Sequence, residues 1–283
     1  MRSVWRAGVF VLPAAVAAAI VIGGAGGVLR AGQSVASAIG VLGQITFTKT
    51  SPNLVDATGV DGPDGVAIDR TNGHVIVADT NNSRVLGWKS AAAFAAGGAA
   101  DLVIGQPDFY SKPCNQNAPI ADAAWLCTPI GVAFDRAHRV YVGDTGNNRV
   151  LMFDDPFAAL ALTGRNAGFV ASKVFGQGGS FVSNDANAGG VSADSMASPQ
   201  GVAVDEGGNL FVSDVFNNRV LIFFAPMPVS MPSGAPGQAN DTTADVVIGQ
   251  ADFVGNLCNQ GGSASSLTLC LGPFLRSWRR SRS

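Results

Sequence analysis

Three aspartates each stand five residues ahead of an arginine: Asp79 and Arg84, Asp144 and Arg149, Asp214 and Arg219. The segments between them read Asp79-Thr-Asn-Asn-Ser-Arg84, Asp144-Thr-Gly-Asn-Asn-Arg149 and Asp214-Val-Phe-Asn-Asn-Arg219. An Asp before an Asn-rich turn accepts backbone N–H bonds. An Arg at this distance can fork onto a carboxylate of its own or a neighbouring unit. The same residues allow another chemistry, a ring of carboxylates that binds a cation such as Ca²⁺ through oxygen. Recurrence favours the structural role, because a catalytic site is normally unique in a chain. No EF-hand spacing and no tight carboxylate cluster supports the cation. Asp61, Asp64 and the Asp154-Asp155 pair read as solvated loops.

Other reactive groups are few. There are two histidines, His74 and His138, and one glutamate, Glu206, so neither a three-His metal site nor a Glu pair exists. The histidines stand just before corresponding apolar runs, where they are expected far apart on a rim. No Gly-x-Ser-x-Gly or Gly-x-x-x-x-Gly-Lys string occurs. Catalysis is not assigned, and neither is a cofactor; Ca²⁺ and Zn²⁺ are the metals that the residue types leave open.

The four cysteines form two matched pairs. Cys114 lies eight residues after Gln106 and Cys127 follows 13 later; Cys258 lies eight after Gln250 and Cys270 follows 12 later. The corresponding segment between them, residues 180–199, lacks both. Joint presence and joint absence is what covalent pairing produces, so disulfides Cys114–Cys127 and Cys258–Cys270 are expected in an oxidising compartment. A shared Cys₄ zinc site would want Cys-x-x-Cys spacing, which is missing; free buried thiols are the remaining reading.

The elements that carry these residues repeat. Gly65-Val-Ala-Ile-Asp69 recurs as Gly131-Val-Ala-Phe-Asp135 and Gly201-Val-Ala-Val-Asp205, at spacings of 66 and 70 residues. Each Arg of the Asp/Arg pairs leads an apolar run, and each unit closes on a Val-apolar-Gly-Gln string ending at Gln106, Gln177 or Gln250. Every unit thus holds four short runs of β-type composition, punctuated by Gly, Asn, Asp and Pro. Asn72-Gly73 and Gly207-Gly208-Asn209 suit tight hairpins. Four-stranded antiparallel units in tandem are propeller blades. A parallel β-helix would have shorter rungs, and a βαβ fold would need helical spacers. Residues 91–100 are Ala-rich but contain Gly97-Gly98, and are expected to form a loop.

At these residues the chain resembles the NHL-repeat family of β-propellers, including its exported bacterial members. The family pattern, Pro-x-Gly-Val-Ala-Val-Asp, an apolar strand, then Asp-x-x-Asn-x-Arg-Val, is matched from Pro63, Pro129 and Pro199. The resemblance runs over about residues 41–271 and implies an all-β fold, a β-propeller of four-stranded antiparallel blades. Members include RNA-binding regulators, sensor ectodomains and a zinc-dependent amidating lyase, so the fold alone does not give the function.

Three complete blades can be counted, preceded by an orphan strand at 41–47. A closed ring usually has four to eight blades, so the ring is expected to be incomplete. A truncated propeller, copies that pair edge to edge and an arc that adds a partner strand each satisfy the pattern.

The ends differ from the body. Arg2 and Arg6 precede 23 uncharged residues, 7–29, and Ala36-Ser37-Ala38 offers a cleavage site. Residues 1–38 therefore read as a signal peptide or an N-terminal anchor, with membrane contact only if uncleaved. Either form places the body outside the cytoplasm, in the periplasm, the envelope or the medium. Residues 272–283 are an off-pattern basic tail. Without the seven arginines of the two ends, 11 basic side chains face 20 acidic ones, about −9, which disfavours nucleic acid. The reading is an exported binding or scaffold module for a protein or extracellular ligand, with surfaces in the long loops 108–129, 180–199 and 226–243. The alternative is a metal-dependent lyase or hydrolase in the propeller tunnel.

Overall fold

The computed structural model describes residues 55–226 and 242–271. The chain divides into two compact units, Met1–Ala38 and Ile39–Ser283, and all described residues lie in the second. The signal or anchor segment, the orphan strand, most of the 226–243 loop and the basic tail fall outside the described residues.

The described residues form three four-stranded antiparallel sheets, each in simple sequence order. The first blade comprises β1 Pro63–Ile68, β2 Val75–Asp79, β3 Arg84–Trp88 and β4 Leu102–Ile104. The second comprises β5 Pro129–Phe134, β6 Val140–Asp144, β7 Arg149–Phe153 and β8 Lys173–Phe175. The third comprises β9 Pro199–Val204, β10 Leu210–Asp214, β11 Arg219–Phe223 and β12 Val246–Ile248. The first strands are innermost, β1 beside β5 and β5 beside β9. This is β-propeller architecture, with three blades of a ring and no fourth among the described residues.

Local sequence explains the turns. Gly73 and Gly208 sit at φ +78° and +84° in the hairpins after β1 and β9, where glycine has no steric penalty. Ser83, Asn148 and Asn218 take left-handed conformations at φ 50–54° ahead of each third strand. Asn tolerates that region because its short side chain bonds locally.

Burial follows the period-two alternation of strands. Ile76, Ala78, Val85 and Ile104 of the first blade pack on Val140, Val142, Leu151 and Phe153 of the second. Tyr141, Val150, Met152 and Phe175 of the second pack on Leu210, Val212, Leu221 and Phe223 of the third. Two cores therefore lie between blades, and a third, with Val75, Val77, Leu86, Trp88 and Val103, covers the other face of the first blade.

One expectation is corrected here. Residues 91–95 are not loop but a short helix, α1 Ala91–Ala95, with the Ser90 hydroxyl accepting from the Ala93 N–H at 3.1 Å. The second blade has a helix at the same place, α2 Pro156–Thr163, capped by Asp155. The caps and the alanine propensity outweigh Gly97-Gly98, which lie beyond the end of α1.

Candidate functional site

Because the strands run antiparallel, each blade sends its first-to-second and third-to-fourth connections to one end and the others to the opposite end. Loops 108–129 and 180–199 therefore share an end with the segment after β12, residues 249–271. The strands β11 and β12 are joined at the other end; the 226–243 connection between them, expected to add to the binding surface, lies mostly outside the described residues.

Each Asp/Arg pair is a buried pin under that loop end. Asp79 Oδ2 accepts from Arg84 Nε at 2.7 Å and from Asn82 at 2.8 Å, and its Oδ1 accepts the Asp61 N–H at 2.6 Å. Asp144 holds Arg149, Asn147 and the Cys127 N–H at 2.7–2.8 Å. Asp214 does the same with Arg219, Asn217 and the Ala197 N–H. All six ionic side chains are fully buried. Burial pushes the Asp144 and Asp214 carboxyls above their ordinary range, against the opposing pull of their arginines.

The remaining arginine donors bind backbone. Nη1 of Arg84, Arg149 and Arg219 donates to the carbonyls of Phe109, Phe181 and Phe253, each at 2.5 Å. Nη2 takes two carbonyls of the loop entering the same blade: Asp56 and Gly59, Asp122 and Trp125, or Ser192 and Ser195. One guanidinium thus ties the incoming loop to the outgoing one.

Two sets of residues given no role from sequence complete this end. Gln106, Gln177 and Gln250 each donate from Nε2 to carbonyls of the second-to-third-strand turn and of the outgoing loop. Their fixed place in the repeat was the available signal. Asn115 and Asn147 exchange two amide bonds, 2.8 and 2.9 Å, between the loop after the first blade and the turn of the second. Asn187 and Asn217 repeat this between the second and third blades. Asn115 stands nine residues after Gln106 but Asn187 ten after Gln177, so the first partners do not share one spacing.

Cys114 is bonded to Cys127 and Cys258 to Cys270, each with Cα atoms 4.4 Å apart. Both bridges close outgoing loops at this end.

At the opposite end, the inner strands line a cleft of about 600 Å³ that includes Asp69, Phe134, Asp135, Arg136, Asp205 and Glu206. The three aspartates cap their own hairpins, accepting from Thr71, from Ala137 and Arg139, and from Asn209. His138 is not in register with His74. It occupies the place of Gly73 and Gly208 at φ +64°, and its Nδ1 meets Asp69 Oδ2 of the preceding blade at 2.5 Å. His138 therefore reaches the hairpin of the preceding blade. The His74 ring stacks on Phe157 at 4.0 Å, and burial lowers its pKa against the pull of Asp69 and Asp155. Among the described residues no group of three His, Cys, Asp or Glu is placed to hold a metal.

Four-stranded blades joined by buried pins define a β-propeller of the repeat-built kind. The NHL repeat matches residues 61–88, 126–153 and 196–223, and the chain carries three NHL repeats. No curated protein matches it. It is similar to the solved structures of Saccharomyces cerevisiae Sqt1 (12% identity, TM-score 0.37, covering 68% of this chain and 36% of that one) and Kuenenia stuttgartiensis hydrazine synthase (12%, 0.38, 75% and 40%). It is also similar to virginiamycin B lyase from Staphylococcus aureus (10%, 0.35, 62% and 42%). The chain thus spans about two-fifths of the length of these structures.

Proposed function

We propose that the protein is an exported scaffold that binds a protein partner through the loop end of its blades. The observation that carries this reading is a threefold apolar display. Tyr110, Val182 and Val254 each follow the phenylalanine whose carbonyl an arginine holds, and they are 75%, 56% and 66% exposed. Asp108, Ser180 and Asp252 fix the three loops by accepting the N–H groups of these residues. Three equivalent apolar side chains on pinned backbone favour recognition, because little loop entropy is lost on binding. The NHL-repeat fold supports an interaction scaffold in general, and the two disulfides fit an oxidising, exported compartment.

Selection of a displayed random-peptide library on the oxidised protein tests this. Peptides are expected that lose about tenfold or more in affinity for a variant with Tyr110, Val182 and Val254 all changed to Ser, at unchanged melting temperature. Binders that ignore the triple variant would place recognition elsewhere.

A further inference from the structure

One sheet face has no neighbour among the described residues. In each blade, alternate side chains face the blade that follows. Ile76, Ala78, Val85 and Ile104 of the first blade are fully buried against the second, and Tyr141, Val150, Met152 and Phe175 of the second are buried against the third. The same register in the third blade holds Phe211, Ser213, Val220, Ile222, Val246 and Ile248. None is charged; Ile222 is buried, Phe211, Ser213, Val220 and Val246 are half-buried, Ile248 is 48% exposed, and Phe224 beyond the strand end is 55% exposed.

Two further details mark this face as an unfilled interface. A Cβ on Gly65 or Gly131 would collide with the Ile130 or Gln200 carbonyl of the next blade, whereas one on Gly201 meets only the Ser213 side chain of its own sheet. Asn259, which follows Cys258 as Asn115 follows Cys114, occupies the place of Asn115. Its carbonyl oxygen accepts from Thr268 at 3.3 Å, without the reciprocal amide pair made by Asn115.

We propose that a second copy of this chain covers this face, third blade against third blade, in a two-fold pair. The opposite end of the arc argues for that arrangement. The outer face of the first blade is already closed: Val75, Leu86, Trp88 and Val103 are fully buried. Head-to-tail stacking of copies therefore has no free receiving surface. Between two copies the third-blade face then meets its own equivalent, and a two-fold contact of one patch with itself closes at a dimer. An uncharged apolar face allows that contact despite the acidic body, because no like charges are brought together at its centre.

Analytical ultracentrifugation of the full chain across a concentration series tests this. A monomer–dimer equilibrium is expected. Ile248→Glu should raise the dissociation constant about tenfold or more. Leu162→Glu, an 84% exposed site on α2, should leave it unchanged. Circular dichroism and melting temperature report whether each variant folds, and Phe224→Glu carries the same test if Ile248→Glu does not. A wild-type chain that stays monomeric, an open-ended series of oligomers, or a dimer indifferent to both Glu variants overturns the proposal.

Discussion

Gly65 of the first blade lies directly against the Ile130 carbonyl of the second, with no room between them for a Cβ. Gly131 and the Gln200 carbonyl repeat the contact one blade on. The glycine of the repeated Gly-Val-Ala string is thus a site of close approach between inner strands, located at the bulge that each inner strand makes after its proline. Gly65→Ala is expected to destabilise by about 1–3 kcal/mol through overpacking. Gly201→Ala needs only the Ser213 side chain to turn, and should stay within about 0.5 kcal/mol. Urea unfolding midpoints of the two variants decide this; equal losses would contradict it.

The repeat made this fold legible for a physical reason. Sheet composition, turn residues and the Asp/Arg spacing all recur at equivalent positions, so three copies report one geometry. Contacts between blades were less legible. Asn115 and Asn147 are 32 residues apart, so nothing in either string marks the other as its partner, and His138 stands where the other two blades have glycine. The Ala-rich helix α1 was hidden because its glycines follow it instead of interrupting it. Length and composition do not reveal to which end a connection returns, so the place of 249–271 beside the other two loops is read from strand order alone.

The buried pins make an asymmetric prediction. Asp144 accepts from three donors, and burial already pushes its carboxyl up. Removing Arg149 leaves a buried carboxylate without its counter-charge and leaves the Phe181, Asp122 and Trp125 carbonyls without their donor. Arg149→Met should therefore cost about 3–5 kcal/mol. Converting both partners, Asp144→Leu with Arg149→Met, should recover part of that loss, since no charge then remains in the seam. Chemical denaturation of the single and double variants gives the coupling. A double variant as unstable as the sum of both single changes would show that the carbonyl contacts of the guanidinium matter more than its charge.

Acid should weaken the cleft end of the blades. At Asp69 burial raises the carboxyl, but the Thr71 hydroxyl and N–H together with His138 outweigh it and lower the net value. Asp205 is lowered by its Asn209 contacts. A carboxyl lowered on folding contributes stability above its unfolded value, and that contribution is lost as pH falls through its folded value. Melting temperature is therefore expected to drop as pH falls below about 4. Asp69→Asn should flatten that slope. A slope unchanged by Asp69→Asn would assign acid sensitivity to other carboxyls.

The two disulfides close loops of nearly the same length, separations of 13 and 12, so chain entropy gives both about 3 kcal/mol. Their surroundings differ. In the first loop Cys127 donates its N–H to Asp144, and Asn115 is paired with Asn147 of the second blade, so this loop stays ordered when its bridge is cut. The cost then falls wholly on the unfolded state and appears in full. In the second loop Asn259 bonds within the loop, and Leu271 donates to Asn218 of its own blade. Cutting Cys258–Cys270 frees that loop in the folded state as well, which offsets part of the loss. Replacing Cys114 and Cys127 with Ser is thus expected to lower the melting temperature more than the same change at Cys258 and Cys270. Hydrogen exchange should show new mobility confined to residues 258–270 in the second variant. Equal losses in the two variants would mean that contacts across the seam between blades contribute nothing to loop order.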